Sequence, residues 1–235
     1  MTESLDAFSL DCFSLRGQCA IVTGGNTGLG QAFAVALAKA GANVFIPDLA
    51  PANPETKQLI EKQGVRAEFM QADITQAGEP ARIVAECLER FGRLDILVNN
   101  AGICKLNKVL DFGREDWDPM ISVNLTAAFE MSHQAAKIMV PQQSGKIINI
   151  CSLVSWLGGQ WSPAYSATKH ALAGLTKSYC DELGQYNIQV NGIAPGYYAT
   201  AITTATRSNP ETNQRVLDHI PANRWGDTQD LMGAM

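Results

Sequence analysis

Tyr165 and Lys169 stand four residues apart in Tyr-Ser-Ala-Thr-Lys, which puts a phenol and an ammonium on one face of a helix. A tyrosine, with a reference pKa of about 10, is a poor base at neutral pH. A cation one turn away stabilises the phenolate and moves it toward the range a general acid/base needs. The pair alone also has a bland reading, a packed tyrosine beside a snorkelling surface lysine. Ser152 strengthens the chemical reading. It follows the apolar run Lys146–Ile150, and a hydroxyl at a strand end can hydrogen-bond a substrate oxygen. Ser155 competes for that role, and a turn serine is the plain alternative. Asn124 is an amide in mid-helix, where propensity gives it no advantage. It either relieves a local kink through water or helps carry protons.

A second constellation lies near the N-terminus. Thr23-Gly-Gly-Asn-Thr-Gly-Leu-Gly30 spaces Gly24, Gly28 and Gly30 as G-x-x-x-G-x-G between an apolar run and a helical pattern. Without Cβ atoms, backbone N–H groups at a helix N-terminus can approach a pyrophosphate, so the loop Gly24, Asn26, Thr27, Gly28, Leu29 and Gly30 reads as a dinucleotide cradle. An ordinary glycine turn is the alternative; no Gly-Lys-Ser/Thr follows, so an ATP-type loop is excluded. Asp48 ends the next apolar run, where a carboxylate meets the adenosine ribose hydroxyls and repels a 2′-phosphate. Its neighbours Pro47 and Leu49 are not basic. NAD is therefore expected over NADP.

The elements that must hold these groups alternate. Strands are expected at 19–23, 43–47, 66–70, 94–98, 146–150 and 188–193, with Pro47 marking a strand end. Helices are expected at 28–40, 55–63, 81–91, 116–139 (stopping before Pro141) and 163–184. Such βαβ units give a three-layer doubly wound α/β sandwich, a Rossmann fold with a mostly parallel sheet, in one domain spanning 1–235. Residues 1–16 read as an N-terminal extension. The Thr-rich stretch 197–220 reads as a substrate lid.

Composition sets the outer limits. Of 235 residues, 46% are hydrophobic and 17% charged, enough apolar material for a packed core. A formal charge of -5 with no basic run argues against nucleic acid. No apolar stretch reaches membrane-spanning length, and the first ten residues lack a signal-peptide pattern. The six cysteines are scattered, form no C-x-x-C pair and do not cluster with the three histidines. Buried reduced thiols in a cytoplasmic protein, with no metal site, are expected.

Taken together, the glycine loop, Asn99-Asn-Ala-Gly102, Asn124, Ser152, Tyr165-x-x-x-Lys169 and Pro195-Gly196 resemble the short-chain dehydrogenase/reductase family, in order, from about residue 15 onward. The resemblance implies that Tyr165 exchanges the proton, Ser152 holds the substrate oxygen, and Lys169 binds the nicotinamide ribose and lowers the Tyr165 pKa. Asn124 would hold a water leading from Lys169 to solvent. Asn100, Ala101 and Gly102 would shape the ribose site, and Asp73 with Ile74 would meet adenine. Pro195, Gly196, Ile193 and Thr200 would border the nicotinamide.

The segments 187–200 and 220–226 are most similar to the bacterial 2-deoxy-D-gluconate 3-dehydrogenase and gluconate 5-dehydrogenase branch. That implies oxidation of a secondary alcohol, or reduction of the ketone, on a sugar acid or polyol. Lys105 is the candidate for the substrate carboxylate, with Lys108 as a solvated competitor, and Gln160, Trp161 and Tyr197 as pocket walls. A reductase of a hydrophobic ketone or acyl-thioester is the alternative, as is a silent dinucleotide sensor. The family also implies a homo-oligomer, dimer or tetramer, and a further helix and edge strand after Met235. Cys151 beside Ser152 departs from the family's usual Ala or Ser and reads as a small buried thiol, since no histidine partners it.

Overall fold

The computed structural model describes residues 9–235. Residues 1–8 of the expected N-terminal extension lie outside them. The rest of that extension contains one short 3-10 turn, Leu10–Phe13.

Six parallel strands run β1 (Cys19–Val22), β2 (Asn43–Asp48), β3 (Ala67–Gln71), β4 (Ile96–Asn99), β5 (Gly145–Ile150) and β6 (Ile188–Ile193). They are ordered β3-β2-β1-β4-β5-β6, and every pairing is parallel. The near-continuous apolar sequence of β1, β2 and β4 follows from burial on both faces. Cys19 and Ile21 face one core with Phe45, Leu97 and Ile147; Ala20 and Val22 face the other with Val44, Ile46 and Val98. Helices α3 (Glu79–Phe91), α5 (Ala127–Gln142) and α6 (Pro163–Leu183) cover the first face. Helices α1 (Gly28–Lys39) and α2 (Pro54–Glu61), with the 3-10 turn Thr228–Ala234, cover the second. The doubly wound expectation is met.

Three elements differ locally from expectation. Pro47 lies inside β2, not at its end: β1 pairs only as far as Phe45, so Pro47 needs no N–H there, and its carbonyl accepts from Gly24 N–H at 2.9 Å. Pro141 sits within the last turn of α5 rather than after it, and Gln143 ends the helix in the left-handed region at φ +53°. The expected helix 116–139 is α4 (Arg114–Ile121), a single π turn (Ser122–Thr126) and α5 in continuous sequence. Beyond β6 the expected lid contains α7 (Thr204–Ser208) and α8 (Pro210–Leu217).

The thiols divide more evenly than expected. Cys19, Cys87 and Cys151 are buried and Cys104 is partly so, but Cys12 and Cys180 are exposed because each lies on an outward face. Among the described residues there is no group of side chains able to hold a metal ion, and no helix is long and apolar enough to cross a membrane.

Candidate active site

All six strands end on one edge of the sheet, and a cleft of about 460 Å³ runs along it. The glycine loop forms its floor. Gly24 and Gly28 adopt φ +64° and +60°, conformations that disfavour a side chain, and a Cβ on Gly30 would collide with the Gly24 carbonyl. Thr27 caps α1 without using its hydroxyl, so the first N–H groups of α1 lack a side-chain partner and face the cleft. This cradle fits the pyrophosphate of a dinucleotide.

The loop is locked from the next strand over. Asn100 Nδ2 donates to the carbonyls of Thr23 and Gly24 at 2.9 and 3.0 Å, and Thr23 Oγ1 accepts from the N–H groups of Asn100 and Ala101. Asp48 lines the far end of the cleft. Its two oxygens accept from Asn26 N–H at 3.2 Å and Ala50 N–H at 2.9 Å. Asp73 and Ile74 line the same end. The Asp73 carboxylate accepts from Thr75 and Gln76, bonds that hold it below the usual carboxylate range.

At the other end Ser152, Tyr165 and Lys169 converge. Ser152 is buried just past β5, and its neighbour Ser155 donates to the Lys169 carbonyl at 2.8 Å, tying this turn to α6. Lys169 is 4% exposed; its Nζ donates to the Ile150 carbonyl at 2.6 Å and lies 5.5 Å from the Tyr165 ring centroid. Burial lowers the Lys169 pKa to about 8 and raises that of Tyr165 to about 12, against a lowering from the Ser152 hydroxyl. The expectation that Lys169 lowers the Tyr165 pKa is not met: burial raises it, and the ammonium donates to a carbonyl instead.

Asn124 stands behind this group, 1% exposed, in the π turn. Its Oδ1 accepts from Ile103 N–H and its Nδ2 donates to Ile103 carbonyl, both at 2.8 Å. The side chain grips the loop at Ile103 and also donates to Thr168 Oγ1 at 3.4 Å; it does not line the cleft.

Every other expected cofactor residue from Gly24 to Thr200 lines the cleft except Asn26, whose side chain turns toward α2, and Ile193. None of Lys105, Gln160, Trp161 and Tyr197 lines it, and Lys105, Gln160 and Trp161 are exposed. They sit on surface loops, where Gln160 Oε1 accepts from Arg215 at 2.8 Å and the Arg215 guanidinium stacks 4.5 Å from the Trp161 centroid. Sequence reasoning missed Leu49, Ile103, Val123 and Ile202, apolar liners of the cleft. Leu49 and Ile202 carry a detectable signal in hindsight: large apolar groups directly following predicted ligand residues Asp48 and, two places on, Thr200.

The family model for short chain dehydrogenases matches residues 18–211. The chain belongs to the short-chain dehydrogenase family. It is an oxidoreductase acting on CH–OH groups, and its family binds a nicotinamide dinucleotide. An Escherichia coli protein described as uncharacterized oxidoreductase YgcW is 81% identical, over 99% of this chain and 89% of its own. The 2-dehydro-3-deoxy-D-gluconate 5-dehydrogenase of Bacillus subtilis is 44% identical, over 95% and 87%. A crystal structure of a putative 2-deoxy-D-gluconate 3-dehydrogenase from Agrobacterium tumefaciens, with bound NADP, superposes with TM-score 0.86 at 43% identity, covering 94% of this chain and 88% of that one.

Proposed function

We propose that this protein is an NAD-dependent dehydrogenase that interconverts a secondary alcohol and a ketone on a sugar acid or polyol. The observation that carries the reading is one cleft with Asp48 and the glycine cradle at one end and Ser152, Tyr165 and Lys169 at the other. The dinucleotide, when bound, supplies the hydride acceptor or donor. Ser152 holds the substrate oxygen, and Tyr165 takes the hydroxyl proton on oxidation or returns it on reduction. Lys169, 5.5 Å from the Tyr165 ring centroid, would hold the nicotinamide ribose and, as a cation beside the phenol, favour its ionised form. Asn124 acts one step back, by fixing Ile103 at the cleft wall. The stretch 197–220 serves as the lid.

Asp48 supports NAD over NADP. The side chains lining the cleft include two carboxylates, Asp48 and Asp73, and Lys169 as the sole cation. A 2′-phosphate at Asp48 would meet a negative charge with no basic partner. The Agrobacterium protein has NADP bound, so the preference of this chain rests on Asp48 alone. The sugar-acid assignment is supported by the names of the relatives, including the 5-keto-D-gluconate 5-reductase of Escherichia coli at 38% identity.

Initial rates with NAD and NADP across sugar acids, polyols and apolar alcohols test both parts. Turnover of apolar alcohols alone overturns the substrate class, and faster use of NADP removes Asp48 from its role. The chain works as a homo-oligomer in this reading, supported by an apolar hollow on the outer face of α5 and α6 around Phe129, Ala171 and Gly174. A monomer mass by light scattering would refute it.

A further inference from the structure

Asn26 makes more hydrogen bonds than any other residue of the glycine loop, and none of its side-chain bonds points into the cleft. It is 3% exposed. Its Nδ2 donates to the carbonyls of Ala50 and Pro51 at 3.3 and 3.0 Å, while its Oδ1 accepts from Asn53 N–H at 3.1 Å. Its own carbonyl accepts from Asn53 Nδ2 at 3.0 Å and from Thr56 Oγ1 at 2.8 Å. Only an amide side chain satisfies that set: a carboxylate would face two carbonyl oxygens, and an apolar group would make none of the three bonds that tie the loop to residues 50–53.

Asn26 N–H and Ala50 N–H are the two backbone donors that fix the oxygens of Asp48. The Asn26 side chain ties the segments carrying both donors together. We propose that Asn26, clasped by Asn53 and Thr56, is a positioning residue that sets the Asp48 carboxylate and so decides between a free and a phosphorylated adenosine ribose. This rests on the reading of Asp48 as the ribose ligand. A carboxylate held at both oxygens cannot swing aside to admit a phosphate; one released from the clasp can.

Calorimetric titration with NADH and NADPH tests it. Asn26→Ala is expected to weaken NADH about tenfold and to narrow the NADH-over-NADPH preference comparably, with kcat at saturating NAD within about twofold. Thr56→Val, which removes one hydroxyl at equal volume, shifts both in the same direction by about threefold, and Thr56→Ser restores them. In an Asp48→Ala background the Asn26→Ala effect disappears, because the two act through one group. An unchanged NADH/NADPH ratio in Asn26→Ala and Thr56→Val, or an Asn26→Ala effect undiminished without Asp48, overturns the clasp while sparing Asp48. Asp48→Ala binding NADH as the parent does overturns the Asp48 reading itself, and the clasp with it.

Discussion

The Lys169 ammonium donates to the Ile150 carbonyl across 2.6 Å, joining the second turn of α6 to the last residue of β5 at the cleft wall. This bond holds a cation with almost no water around it, and its cost depends on pH. Unfolded, the lysine keeps its proton up to the ordinary value of 10.5; folded, it releases it near 8. Between those values the unfolded chain binds more protons, so the unfolding free energy rises with pH. Relative to Lys169→Met, the parent is expected to gain on the order of 2 kcal/mol between about pH 8 and 9.5. Tyr165 has the opposite slope, but only above its ordinary value, outside that window. Urea unfolding of both proteins across the range measures it; parallel slopes would show that Lys169 is not desolvated as described.

Tyr165→Phe removes the group that exchanges the proton and leaves the ring. A loss of about 10²–10⁴-fold in kcat is expected, with NADH affinity little changed. Single-turnover kinetics with a titrated active-site concentration reads both quantities, and turnover near the parent rate rules out the phenol as acid/base.

Asn124→Leu fills similar space but gives the Ile103 N–H and carbonyl no partner. A destabilisation of about 1–3 kcal/mol is expected. Because Ile103 lines the cleft, substrate turnover should fall as well. Thermal and urea unfolding with parallel rate measurements would separate the two; a variant as stable as the parent contradicts the grip on Ile103.

Gly30→Ala drives a methyl into the Gly24 carbonyl and toward Asn100 Nδ2, 2.5 Å away. The cradle must open, and dinucleotide affinity is expected to drop by at least about tenfold. Gly184→Ala, with nothing near its Cβ position and a helical φ of -56°, serves as the control at the end of α6. Equal NADH affinity in both variants would remove the cradle from cofactor binding.

Arg215→Ala unties α8 from Gln160 and Trp161 at an exposed site. Stability should stay within about 0.5 kcal/mol. The substrate KM is expected to rise about three- to tenfold with kcat held, as loss of uniform binding predicts. Steady-state kinetics at saturating cofactor checks it, and an unchanged KM would place this clasp outside the substrate's path.

What was legible in the sequence follows the physics of each group. Tyr165, Lys169 and Ser152 were readable because helix period and strand ends are backbone rules. The placement of Lys105, Gln160 and Trp161 outside the cleft was not, because they belong to loops whose course no periodicity constrains. Asn26 looked like a ligand by its place in the glycine loop; only the path of residues 50–56 turns its amide away. Ile103 left no signal at all, since it serves Asn124 with its main chain. The strand expected at 94–98 begins instead at Ile96. Asp95 there accepts from Cys19 N–H at 2.8 Å, a side-chain bond that apolar patterning does not register.

The distribution of sulfur gives the molecule an internal clock. Cys12 and Cys180 meet solvent directly, Cys151 lies against the cleft, and Cys19 of β1 and Cys87 of α3 are buried between sheet and helix with their sulfurs 3.6 Å apart. A thiol-labelling reagent therefore counts three processes in one time course: diffusion to the surface, breathing of the cleft, and global opening of the fold. Dinucleotide slows the second phase directly and the third only through the stability it adds.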